Sequence, residues 1–78
     1  MDDRCIVIRR FPAYELAVRR LYASDPEFRD ACEHYALAVH AFERWVEDET
    51  KAEEYRRMIR ELEDEIIAYF ELSGTNAH

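Results

Sequence analysis

Apolar residues recur along most of this chain at alternating spacings of three and four, the period of helices that bury one face. Between positions 26 and 47, Phe28, Cys32, Tyr35, Val39, Phe42 and Val46 follow that alternation as a heptad seam. Ala31, Ala38 and Trp45 flank the seam at seven-residue intervals and widen the apolar face. Tyr55, Ile59, Leu62, Ile66 and Tyr69 repeat the pattern further on, with Met58 and Phe70 beside it. A shorter run, Tyr14, Ala17, Val18, Leu21 and Tyr22, has the same spacing nearer the start. The pattern predicts three helices.

Punctuation between the runs sets their limits. Pro12 suits the first position of a helix, with Phe11 as an apolar lead-in. Pro26 disfavours helical geometry in the residue before it, so the chain should break near Ser24. Asp25 then caps a second helix that runs from Pro26 to about Glu47, with Glu27 in its first turn. Thr50 and Glu53 have the spacing of a capping box, which predicts a third helix from about Lys51. Ser73-Gly74 should stop it, leaving residues 74–78 as a frayed tail.

The second and third seams fit one another. Folding back at Thr50/Lys51 sets Val46 opposite Tyr55, Phe42 opposite Ile59 and Val39 opposite Leu62. The same register sets Tyr35 opposite Ile66 and Cys32 opposite Tyr69, so all five layers are apolar. The fold class expected is therefore all-α: an antiparallel two-helix hairpin, coiled-coil-like, with a short leading helix, assembling into a helical bundle. Residues 11–73 form the hairpin domain and residues 1–10 an N-terminal arm. Cys5-Ile6-Val7-Ile8 within that arm is β-branched. It reads either as an arm packed loosely on the helices or as a short strand pairing with its copy in a dimer.

Composition sharpens this picture. The chain has 78 residues, 49% hydrophobic and 37% charged, with one glycine and two prolines. So few turn formers exclude an all-β fold, and so short a chain makes one domain at most. A two-helix layer leaves apolar surface uncovered, so a second copy or a partner is expected. The formal charge of −7 is unevenly spread. Residues 1–20 carry five arginines against three acids, whereas residues 21–50 carry two arginines against eight acids. Residues 51–78 have four basic and seven acidic residues. An acidic body repels phosphates, which disfavours a general nucleic-acid role. No stretch has the length of a membrane span or a signal core, so the expected compartment is the cytoplasm, with Cys5 and Cys32 reduced.

The block Phe11-Pro12-x-Tyr14, Val18, Arg20-Leu21 and Asp25-Pro26-x-Phe28, with the later Leu62-x-Asp64-Glu65-Ile66, resembles the YdcH-like family. Those are small bacterial helical proteins with no assigned activity. The resemblance covers roughly Phe11 to Phe70. It implies a helical hairpin and brings no catalytic residues with it. The chain departs from the family in its arm before Phe11, and in having arginine and glutamate where the second hairpin arm is often lysine-rich.

Candidate chemistry is sparse. Di-iron helical bundles need Glu-x-x-His on facing helices, and no glutamate here has a histidine three residues later. Asp30 and His34 stand one turn apart, but His34 and His40 are six apart, a poor ligand spacing. Gly74 is the only glycine, so there is no phosphate cradle or nucleophile elbow. Cys32 on the seam reads as a small apolar core group. The sequence thus points away from an enzyme, a metal or a cofactor, and toward protein–protein association.

For that role the candidate surface is Ala31, Ala38, Trp45, Met58 and Phe70, a stripe beside the main seam that could dock the first helix or a second hairpin. A homodimer is the favoured product, with an unidentified protein partner as the other occupant. The competing reading is contact with an anionic membrane or nucleic acid through Arg4, Arg9, Arg10, Arg19 and Arg20, which accompany Ile6, Val7, Ile8, Tyr14 and Val18.

Overall fold

The computed structural model describes residues 3–72, and these are all-helical, with no strand among them. Helix α1 spans Asp3–Arg10, α2 Glu15–Ser24, α3 Pro26–Arg44 and α4 Glu49–Leu72, with a 3-10 turn at Pro12–Tyr14. The expected stop at Ser73-Gly74 and the tail at 74–78 lie outside the described residues.

From Asp3 to Arg10 the arm is a helix, neither a loosely packed arm nor a strand. Asp3 in its first turn and Arg9 and Arg10 in its last complement the helix dipole. Val7 is fully buried, with Ile6 and Ile8 packed partly against the same core. Burial of this face outweighs the β preference of Ile-Val-Ile, as tertiary packing commonly overrides local propensity. The amide of Phe11 donates to the carbonyl of Val7 at 2.9 Å, closing the last turn. Phe11 then leaves helical geometry (φ −126°, ψ 65°), as Pro12 demands of the residue before it. Pro12 opens a 3-10 turn rather than α-helix, and α2 proper starts at Glu15.

At the next junction the expected cap is present. Asp25 is extended, and its Oδ1 accepts from the amides of Glu27 at 2.9 Å and Phe28 at 3.3 Å. At the far end of α3 the chain turns earlier than the sequence pattern suggests. Helix α3 ends at Arg44, and Asp48 caps α4, its Oδ1 accepting from the Lys51 amide at 3.1 Å. Thr50 lies inside α4.

This earlier turn slides the register by about one helical turn. Tyr35 meets Glu63 rather than Ile66, and Phe28 meets Tyr69 and Phe70. Nearer the turn, Arg56 lies over the Phe42 ring and Lys51 over Trp45. The side chains of α3 and α4 thus meet in antiparallel order. A slide of one turn returns the same face of a helix, so Ile59, Leu62, Ile66 and Tyr69 still line the core. Val46 is exposed in the connecting turn, so the layer expected between Val46 and Tyr55 does not form.

The molecule is elongated, 41 × 21 × 20 Å. Helix α4 sets the long axis, its 24 residues rising about 36 Å. Helices α1 and α2 pack on α3. The core comprises Val7, Phe11, Ala17, Val18, Phe28, Ala31, Cys32, Tyr35, Ile66 and Phe70. In α3 its main residues stop at Tyr35, and in α4 they start at Ile66. The half of the α3–α4 pair nearest the turn therefore lies beyond the main core.

Candidate functional site

An open apolar groove of about 580 Å³ runs between α3 and α4, while Leu16, Ile67 and Leu72 are exposed elsewhere. Its lining is His34, Leu37, Ala38 and Ala41 from α3, facing Tyr55, Met58, Glu61, Leu62 and Glu65 from α4. No residue of α1 or α2 contributes. The hollow arises because α3 presents two alanines where α4 presents Tyr55, Met58 and Leu62. Ala38 is buried and forms the floor, while Leu37 (65% exposed) and Met58 (45% exposed) stand at the surface. Trp45 and Val46 extend the exposed apolar surface toward the turn.

The charged groups sit in the half of the groove remote from the turn, Glu65 with His34 at its end and Glu61 nearer the middle, and neither glutamate is in an ion pair among the described residues. Glu61 and Glu65 are one turn apart, a like-charge spacing that costs a helix a few tenths of a kcal/mol. The groove is thus apolar toward the turn and anionic toward its far end.

The structure divides the residues singled out from sequence. Ala38 and Met58 come together in the groove, and Trp45 is exposed beyond it with Lys51 over its ring at 5.0 Å. Ala31 and Phe70 do not belong to this surface. Both are buried in the chain's own core, because the leading segment covers them. Phe70 meets Phe11 edge-on at 5.7 Å and stacks on Tyr14 at 4.4 Å. Leu37, Ala41 and Tyr55 were not singled out as a surface. Leu37 is the residue whose sequence position signals it, a large apolar side chain off the seam.

The five arginines do not present one free basic face. Arg10 makes a forked contact with Glu63, Nε to Oε2 at 3.0 Å and Nη2 to Oε1 at 3.3 Å. That hydrogen bond, with the carboxylate charge, raises the Arg10 pKa. Arg19 pairs with Glu15 at 2.8 Å, and Arg4 lies over the Tyr22 ring at 5.3 Å. Arg9 lines a second hollow of about 420 Å³ between α1 and α3, with Ile6, Arg10, Tyr35, Val39, His40 and Glu43. Arg20 is exposed on α2.

Glu63 is the most heavily used acid. Besides Arg10 it accepts from the Tyr35 hydroxyl at 2.9 Å, so one carboxylate ties α1, α3 and α4 together. Burial, and then the bond to Glu63, raises the Tyr35 pKa. Cys32 is fully buried, and desolvation pushes its thiol up to about 12. So protonated a thiol is a poor nucleophile. Cys5 is exposed.

Among the described residues no group of three or more histidines, cysteines or acids is placed to hold a metal ion. No helix among them is long and apolar enough to cross a membrane. The fold and the groove define a small all-α protein with an open apolar channel. Comparisons with protein-family models, curated proteins and solved structures find no match to this chain.

Proposed function

We propose that this chain works without catalysis, by protein–protein association through the groove between α3 and α4, and that it self-associates there, a dimer being the first product. The observation that carries this reading is the groove itself. Leu37 and Met58 are held at the surface along a channel whose walls are apolar, and contiguous exposed apolar surface marks interaction sites. On this reading α3 and α4 act as an antiparallel coiled-coil-like hairpin whose spare face is completed by another helix, making a bundle. The resemblance to the YdcH-like family supports the same picture, since that family is helical with no assigned activity.

Contact with an anionic membrane or nucleic acid draws less support. Ile6, Val7 and Ile8 turn into the core, and Arg10 and Arg19 are paired with acids of the chain.

The test is the absolute mass in solution across a dilution series, by light scattering behind size exclusion, for the wild type and Met58→Glu. The expected result is a mass that rises above 9.4 kDa with concentration in the wild type and stays there in the variant. A wild type that remains monomeric at every concentration overturns self-association.

A further inference from the structure

The groove has a counterpart on the same molecule. Helix α2 buries Ala17 and Val18 and turns its other side to solvent. There Leu16, Arg20 and Ala23 recur at spacings of four and three and all three are exposed, as is Ala13 in the 3-10 turn before the helix. Leu16 is 75% exposed, further out than Leu37 or Met58 of the groove. Arg20 follows it by one turn and has no ion-pair partner among the described residues. This is a short, largely apolar helix face with a cation one turn beyond its leucine. The groove is an apolar channel with two glutamates, unpaired among the described residues, in its half remote from the turn.

From this match we infer that the occupant of the groove is α2 of a second copy, Leu16 seated against Leu37 and Met58 and Arg20 meeting Glu61 and Glu65. The inference rests on the association reading above and names its partner surface. Length agrees: from Tyr55 to Glu65 the groove rises about 15 Å, and the 10 residues of α2 rise about as far. Charge agrees as well. Arg20 and the two groove glutamates have no ion-pair partners among the described residues, so the contact brings opposite charges together. A groove-to-groove pairing has no such match near its centre, where Glu61 of each copy would lie close to its twin.

Two different surfaces meeting make a heterologous contact, which propagates head to tail unless rotation closes the ring. The wild type should therefore pass beyond dimer as concentration rises. Salt should weaken it, since the Arg20 contact lies at an exposed rim.

Complementation tests the pairing. Leu16→Glu spoils the inserted face and keeps the groove, whereas Met58→Glu spoils the groove and keeps the inserted face. Both positions are exposed, so both variants should fold, which their helical circular dichroism and unfolding midpoints check. Each variant alone should need at least about tenfold more protein to associate. Mixed in equal amounts they should form a discrete 1:1 dimer that grows no further, because one working contact remains and both outer ends are blocked. If Leu16→Glu associates like the wild type while Met58→Glu does not, the groove takes some other surface and this inference falls while the association reading stands. If the wild type is monomeric throughout, both fall.

Discussion

Phe70→Ala tests how the apolar stripe beside the seam is covered at its far end. The pattern leaves Phe70 for either the first helix or a second hairpin to dock on, and the structure gives it to the leading segment. In the structure it is 1% exposed, with its ring edge-on to Phe11, stacked on Tyr14 and tilted against Phe28 at 6.1 Å. Truncating a buried phenylalanine costs about 3–5 kcal/mol, transfer and cavity together. The upper half of that range applies here, because three aromatic contacts are lost and each is worth about 0.5–1.5 kcal/mol beyond its area. A chain of 78 residues has a total stability of roughly 4–12 kcal/mol. The variant should thus lose a third of its stability or more. Urea unfolding followed by circular dichroism, on dilute protein so that association does not contribute, measures it. Ile67→Ala is the control: the neighbouring residue is 36% exposed and should lose no more than about 1 kcal/mol. A Phe70→Ala loss below about 1 kcal/mol, or an equal loss in the control, would refute the packing of the leading segment on α4.

Ile66 is fully buried and Leu62 only partly so, one wall of an open groove, so Ile66→Ala should cost about 2–5 kcal/mol and Leu62→Ala clearly less. The reverse order in urea titrations would restore the register expected from sequence. In a Cys5→Ser background, Cys32 should react with a thiol reagent only as fast as the chain opens, many times slower than exposed Cys5 does in the wild type. Rapid labelling would show that α1 does not stay docked. The same thiol gives a pH prediction. Its folded pKa of about 12 lies above the usual 9.0, so its contribution to stability is intact below about pH 9 and is lost between 9 and 12. Cys32→Ala should flatten the alkaline fall in stability over that window, and an unchanged slope would assign the fall to other groups. Finally, Glu63→Gln keeps an acceptor for Tyr35 and removes the charge, so the Tyr35 hydroxyl should ionise at lower pH by ultraviolet titration. An unmoved titration would mean burial alone sets it.

What the sequence made legible follows from which signals are local. The three main helices and the Asp25 cap before Pro26 depend on residues a few positions apart, and each was readable. Helix α1 was not, because four β-branched and small residues prefer extension by themselves and become helical only when Val7 has a pocket to enter. The register was not readable either, and for a general reason. Seams spaced three and four fit equally well after a slide of one turn, so only the connecting turn decides. Thr50 and Glu53 carry the capping-box spacing, yet Asp48 makes the cap, and that difference moves every facing pair. The groove inherits this ambiguity. Ala38 and Met58 could be flagged as off-seam residues, but the hollow between Ala41 and Tyr55 exists only once the register is known.

The elongated shape explains why stability and association fall on different parts of the chain. Helices α1 and α2 cover α3 and α4 at the end where Phe28 and Phe70 meet, and there are no further described residues to cover the other end. The residues that hold the fold, Val7, Val18, Phe28, Ile66 and Phe70, are absent from the groove, and the groove's outermost residues, Leu37 and Met58, are absent from the core. Charged substitutions at Leu37 or Met58 should therefore leave the unfolding free energy of the monomer within about 0.5 kcal/mol of wild type. Leu62 lines the groove and also packs against the core, so Leu62→Glu should damage folding and association together. If Met58→Glu instead unfolded the monomer, the exposed side chain would have to contribute to the core, and the groove would be part of the interior rather than a surface left open for another helix.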